Sequence, residues 1–235
     1  MTISESFKLS IIVPAYNEGK TILTVLQKLN NLKKFYQNIQ IIVINDGSKD
    51  NSLEILEGNK SLFDILINNP KNRGKGNAVK KGLEVADGDY ITFQDADLEY
   101  DPEDFKKFLN LINIVDPDLI IGSRFNYADY SRSHYILNKI GNKFMTFLFN
   151  IIYDTTFTDI YSCYACFKKN LLINETLNTN GFEQHAEILC KVIKNGKKFY
   201  EVPINYNGRS HDEGKKIKFY HIFSVIFQIL IGRFK

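Results

Sequence analysis

The 235-residue chain has little cysteine, almost no excess charge and no long apolar run, and each shortage excludes a class of protein. Three cysteines, Cys163, Cys166 and Cys190, are too few, and odd in number, for a disulfide framework. A reducing compartment is the expectation. Cys163 and Cys166 do stand as C-x-x-C, but a zinc site needs two more ligands at suitable spacing. A thioredoxin-like site needs the pair to open a helix, and here it lies in the apolar run Tyr161 to Phe167. Buried structural cysteines are therefore expected. With 30 basic and 27 acidic residues the net charge is +3, so no global field points to nucleic acid. The first ten residues, MTISESFKLS, carry no basic region followed by an apolar stretch, so no secretory leader is expected. No apolar run reaches the roughly twenty residues that span a bilayer. The expected location is the cytoplasm, with contact to membranes from the surface at most.

What is present is an alternation of buried strands and amphipathic helices. Leu9 to Pro14 and Ile39 to Ile44 are continuous apolar runs that suit buried parallel strands. Phe63 to Ile67, Asp89 to Gln94 and Leu119 to Gly122 read as three more. Between them, Thr21 to Leu32, Gly76 to Ala86 and Pro102 to Ile114 carry apolar residues at helical spacing. Such repetition predicts an α/β fold with a doubly wound, mostly parallel sheet. The second half is less regular. Helices are expected at Asn138 to Tyr153, Glu183 to Ile193 and Phe219 to Ile231, with a strand at Phe199 to Tyr206. Residues 207–216 (NGRSHDEGKK) are polar, contain two glycines and read as a mobile loop. No repeat or linker divides the chain. One domain over 1–235 is expected, with a binding half at 1–125, a second half at 126–216 and an apolar, basic-flanked helix at 217–235.

Sheets of this kind bind ligands at the carboxyl ends of their strands, and the polar residues of the first half collect there. Pro14-Ala15-Tyr16-Asn17-Glu18 follows the first strand, Asp46 the second, Asp95-Ala96-Asp97 the fourth and Ser123-Arg124 the fifth. Two carboxylates one residue apart at a strand end can both reach a hard divalent cation, with substrate phosphates completing its shell. Glu99 stands close behind them.

The segments SIIVPAYNE (10–18), VINDGSKDNS (43–52), NRGKGN (72–77), DGDYITFQDADLEYDP (87–102), IIGSR (120–124) and VPINYNGRSHDEGK (202–215) occur in one order over most of the chain. Together they resemble family 2 glycosyltransferases of the GT-A type, in the branch of dolichol-phosphate mannose synthases and bacterial polyprenyl-phosphate glycosyltransferases. The resemblance implies a nucleotide-sugar donor, GDP- or UDP-linked, and a Mg²⁺ or Mn²⁺ cofactor. It implies that Pro14, Ala15, Tyr16, Glu18 and Asp46 hold the nucleoside, and that Gly74 and Lys75 lie by the diphosphate. Asp95, Ala96 and Asp97 would position donor and metal. Glu99 stands where the mannose synthases carry a metal-contacting Gln, so Asp95, Asp97 and Glu99 form the implied metal set. Arg124, Arg132, Arg209 and Lys215 would contact phosphates. The family loop R-x-x-G-x-S-K reads here as Arg209-Ser-His-Asp-Glu-Gly-Lys215, with the glycine displaced by two places. Asp97, Arg124, Asp159 and Glu183 are the implied catalytic residues. Asp159, Glu183 or Glu187 would matter as a base for a hydroxyl acceptor; a phosphate acceptor is already ionised and needs none.

The implied reaction is an inverting displacement in which loop 207–216 closes over the donor. A polyprenyl phosphate is the favoured acceptor. The apolar segments 144–153 and 219–234, the latter flanked by Lys215, Lys216, Lys218, Arg233 and Lys235, suit an anionic membrane surface. The same helices would equally serve a core or a homodimer. Two further readings stand beside it: transfer to a glycan hydroxyl, and an inactive nucleotide-sugar-binding scaffold.

Overall fold

The structure is a computed structural model that describes residues 7–126, 132, 136–208 and 221–234. Its strands are β1 (Leu9–Ala15), β2 (Ile39–Asn45), β3 (Ile65–Asn68), β4 (Tyr90–Phe93), β5 (Leu119–Ser123), β6 (Ala165–Lys168) and β7 (Phe199–Pro203). Its α-helices are α1 (Ile22–Leu32), α2 (Ser52–Gly58), α3 (Lys75–Val85), α4 (Phe105–Val115), α5 (Ile136–Tyr153), α6 (Gln184–Asn195) and α7 (His221–Gly232). The strands form one sheet in the order β3-β2-β1-β4-β6-β5-β7.

The apolar runs become the sheet's centre because helices cover both faces of β1 and β2, and the polar pair near their starts, Ser10 and Gln40, is buried with Ser10 Oγ donating to Gln40 Oε1 (2.6 Å). Alternate residues divide between two cores. Ile11, Val13, Ile41 and Val43 pack with Val25 and Leu29 of α1 and Phe108 and Ile112 of α4. Ile12, Ile42 and Ile44 face Ala78 of α3, Phe149 of α5, Leu189 of α6 and Ile229 of α7. Burying this aliphatic and aromatic surface is the main force holding the layers together.

The expected mostly parallel sheet is present, with one feature the sequence pattern did not show. The run around Cys166 is a strand, β6, inserted antiparallel between β4 and β5. It pairs Phe167 with both Ile91 and Leu119. Four residues are too short to display a period, and only two flanking strands define the segment as part of a sheet. Helix α2 was also not expected, since its seven residues bury only Ser52 and Leu56. Cys166 and Cys190 are buried as free thiols, as the apolar setting suggests. Among the described residues, no helix is long and apolar enough to cross a membrane.

Candidate active site

The carboxyl ends of β1, β2, β4 and β5 open into one cavity of about 730 Å³, closed on its far side by α5, α6 and α7. Pro14, Ala15, Tyr16 and Glu18 form one wall, Asp46, Gly74 and Lys75 the next, and Asp95, Ala96, Asp97, Glu99 and Arg124 the floor. The residues singled out at four strand ends are therefore brought together.

The wall after β1 turns at Asn17, which sits in the left-handed region (φ 54) that Asn tolerates better than most residues. Its N–H donates to Ser48 Oγ (3.0 Å) and its Oδ1 accepts from the Lys49 N–H (2.8 Å), tying the loop after β1 to the loop after β2. The Glu18 N–H donates to Ser52 Oγ (2.9 Å). Asp46 is buried, and its carboxylate is spent on the chain. It accepts from Asn69 Nδ2 (2.8 Å), from the Arg73 N–H (3.1 Å) and from the Gly74 N–H (2.9 Å). Asp46 thus shapes the 72–76 turn, where Gly74 takes φ 93. A side chain there is strained by that conformation and crowded by Asn180 O, 3.0 Å from where a Cβ would lie.

That turn aims Lys75 at the end of β4. Its ammonium is ion-paired with Asp95 Oδ1 and lies 3.4 Å from Cys163 Sγ. Burial alone would raise the Asp95 carboxyl, but the charge and hydrogen bond of Lys75 hold it below the usual carboxylate range. Burial, helped by the Asp95 charge, pushes the Cys163 thiol up to about 12, so it is no nucleophile at neutral pH. His185 lines the same cavity with Nε2 3.2 Å from Ile160 O. Burial and the Lys75 charge bring its imidazole down to about 4, so it is neutral at pH 7.

After Asp97 the chain reverses at Leu98 (φ 62), and the Glu99 N–H donates to Asp97 Oδ1 (3.1 Å). Glu99 Oε2 accepts from the Tyr206 hydroxyl (2.8 Å). No group of three or more His, Cys, Asp or Glu residues among those described converges to hold a metal by itself. The residues that could hold one with help from other ligands are two carboxylates that line the cavity, Asp95 and Asp97, with Glu99 drawn to Tyr206. Hard oxygens in that number fit a small divalent ion that takes its other ligands from water and substrate phosphates.

Arg124 reaches the cavity, but its fork is committed. Nε donates to Asp159 Oδ2 (2.7 Å) and Nη2 to Asp159 Oδ1 (2.8 Å), a bidentate pair with Asp159 fully buried. Asp159 and Glu183 do not line the cavity; a Glu183 oxygen accepts from the Gly181 N–H (3.1 Å). Glu187 is likewise spent, on Asn178 and Thr179. Arg132 lies outside the cavity on the surface, donating to Gly208 O (2.9 Å). Arg209 and Lys215 lie outside the described residues.

Sequence reasoning passed over Tyr100, Tyr161, Gln184 and His185 and read Cys163 as a buried structural cysteine; all five line the cavity, Cys163 only partly buried. The only signal for His185 is a polar residue one place into a helix that otherwise buries Ala186, Ile188 and Leu189. Nothing in the sequence ties Tyr100 to Arg124, which it meets across the floor (Nη1 to Oη, 3.4 Å).

The profile of glycosyl transferase family 2 matches residues 10–174. A UDP-N-acetylglucosamine–dolichyl-phosphate N-acetylglucosaminyltransferase of Methanococcus voltae is 29% identical over 95% of this chain and 96% of its own length. A dolichol-phosphate mannosyltransferase of Pyrococcus furiosus is also 29% identical, over 88% of this chain and 59% of that protein. The fold is similar to that of Mycobacterium tuberculosis glucosyl-3-phosphoglycerate synthase, solved with Mn²⁺ and UDP, at TM-score 0.71 and 16% identity over 97% of this chain and 80% of that one. Mannosyl-3-phosphoglycerate synthase of Rubrobacter xylanophilus gives TM-score 0.70 at 14% identity, over 96% of this chain and 72% of that one. With the profile covering more than half of the sequence, and with a cavity at the carboxyl ends of its strands, the chain belongs to glycosyl transferase family 2 and is a glycosyltransferase.

Proposed function

We propose that this enzyme moves a hexose from a GDP- or UDP-linked donor to the phosphate of a polyprenyl phosphate, at a membrane surface and with Mg²⁺ or Mn²⁺. One observation carries the reading: the cavity has a charged floor and an apolar wall, and that wall belongs to helices that are themselves apolar outside. Leu137, Gly141 and Met145 of α5 and Ile222 of α7 line it. The same helices expose Leu137 (75%), Phe144, Phe147, Phe223 and Phe227 (63%), beside Lys139, Lys143 and Arg233. An apolar surface with basic neighbours suits an anionic bilayer. A lipid phosphate standing there would place its head toward the floor and its chain along α5 and α7. The two dolichyl-phosphate-named relatives support this acceptor class.

The wall of Pro14, Tyr16 and Glu18 takes the nucleoside, and the 72–76 turn brings Lys75 to the diphosphate. Asp95 and Asp97 would hold a divalent cation, which would neutralise the charge that grows on the leaving nucleoside diphosphate. The acceptor oxygen attacks the anomeric carbon opposite the leaving group, which inverts that centre. Such an acceptor needs no base, which agrees with the engagement of Asp159, Glu183 and Glu187 elsewhere. Catalysis is then mostly positioning and electrostatics. A second reading is transfer to a glycan hydroxyl, which needs a base; His185 is the neutral imidazole at the cavity, but burial and the Lys75 charge make it a weak one.

The test is donor turnover with Mn²⁺, using several nucleotide sugars with and without a short polyprenyl phosphate. Consumption of one donor only in the presence of the lipid phosphate, lost by at least about a hundredfold in Asp97→Ala, is the expected result. Turnover that ignores the lipid, proceeds with a glycan and disappears in His185→Gln would replace this reading with the second.

A further inference from the structure

Asp95 is the carboxylate that the donor-site reading gives to the metal, yet in this structure it already holds a cation. Lys75 Nζ is paired with Asp95 Oδ1 at a site where the two side chains are 36% and 21% exposed. The anchor of that lysine is rigid. Lys75 opens α3, the Gly76 N–H donates to Asn180 O (2.9 Å), and the Gly74 N–H donates to Asp46 Oδ2 (2.9 Å). Its backbone is pinned on both sides, while the long side chain is held at its end only by Asp95 and Cys163. A divalent ion bound to Asp95 at the usual ligand distance of about 2 Å would sit within a few ångströms of the ammonium. Two cations that close in a half-buried site repel, which favours release of the lysine when the metal arrives. Asp46 offers it no alternative, since the backbone of Arg73 and Gly74 and the Asn69 amide already occupy that carboxylate.

We infer that Lys75 is a resident counter-ion for Asp95 that metal and donor displace together. The cation takes Asp95, and the released ammonium takes the donor's diphosphate. This rests on the donor-site reading above. It makes metal and nucleotide binding cooperative through one side chain: the protein holds the cation weakly by itself and tightly once a nucleoside diphosphate is present. By linkage, the nucleotide gains as much from the metal as the metal gains from the nucleotide.

The experiment measures Mn²⁺ binding to the intact chain by loss of the free-ion electron paramagnetic resonance signal, with Mn²⁺ alone and with GDP or UDP added. It uses the wild type, Lys75→Met and Lys75→Gln, with Lys71→Met as a control for net charge, because Lys71 is exposed one residue before the same loop. Circular dichroism melting confirms that each variant is folded; Lys75→Gln keeps a polar end should the Met variant fold poorly. In the expected result, Mn²⁺ alone binds the Lys75 variants at least about fivefold more tightly than the wild type. The gain in Mn²⁺ affinity on adding the diphosphate shrinks by a similar factor, and Lys71→Met changes neither. Equal Mn²⁺ affinity in wild type and Lys75 variants overturns the inference and leaves the donor site standing. So does a Lys71→Met shift as large as that of Lys75→Met. A wild type that binds no Mn²⁺ even with either nucleotide overturns the donor-site reading, and this inference with it.

Discussion

At the scale of the residue, the pair Arg124–Asp159 decides the most. A guanidinium with a buried carboxylate across its fork cannot also present that fork to a ligand, so Arg124 acts on the site mainly by shape and through its remaining nitrogen, 3.4 Å from the Tyr100 hydroxyl. Arg124→Met leaves the buried Asp159 with no cation across it, only the backbone N–H of residue 124 (3.1 Å). It should lower unfolding free energy by about 3–5 kcal/mol, while Arg124→Met with Asp159→Leu recovers most of the loss; urea denaturation of the two variants measures both. His185 gives the pH dependence. Its folded-state value of about 4 lies below the ordinary unfolded value of about 6.5. Below pH 6.5 the unfolded chain takes up a proton that the folded chain refuses until about pH 4. The stability contributed by keeping this ring neutral is therefore whole above pH 6.5 and is lost as pH falls toward 4, by roughly 2–3 kcal/mol. Thermal melts from pH 7 to 4 should show His185→Gln losing less than the wild type by that amount. Neither pairing could be read beforehand. Asp95, Asp97 and Asp46 were legible because each ends an apolar strand, whereas Asp159 meets Arg124 from 35 positions along the chain.

At the scale of the element, the 72–76 turn is the part on which the site depends. Gly74 combines a positive φ with the close approach of Asn180 O, so Gly74→Ala meets strain from both. It should cost about 1–3 kcal/mol and weaken nucleotide binding more than stability, because Lys75 loses its aim; calorimetric titration with GDP and UDP, read beside a melt, separates the two effects. Strands β1, β2, β4 and β5 were visible in the sequence because continuous aliphatic runs between turn residues have few other uses. Strand β6 was not, since its four residues take their identity from β4 and β5. Helix α5 was visible as an apolar helix, yet its periodicity could not say that one face, with Met145, Phe149 and Tyr153, is core while the other, with Ile140, Phe144, Phe147 and Ile151, is exposed.

At the scale of the whole molecule, exposed aromatics on α5 and α7 adjoin a cavity whose floor is charged. If that surface lies on a bilayer, Phe227→Glu should reduce co-sedimentation with anionic vesicles severalfold, since each buried aromatic contributes about 1.5–3 kcal/mol. Its melting temperature should stay unchanged, because Phe227 is 63% exposed. Added salt should weaken wild-type binding as well, through the basic neighbours.

The sequence by itself determined the class of the fold and the rim of the site. Buried parallel strands must be apolar on both faces, and the chain must turn polar where each strand ends, so both features are local and leave a local trace. It determined the family too, through six short segments in fixed order. Only the tertiary structure decided which carboxylates are free to act and which are spent. Asp46 is spent on the turn at Gly74, Asp159 on Arg124 and Glu187 on the 178–179 backbone, while Asp95 lies at the cavity paired with Lys75. The physical reason is that a charge's partner is set by distance in space, and residues tens of positions apart leave no periodic mark on one another.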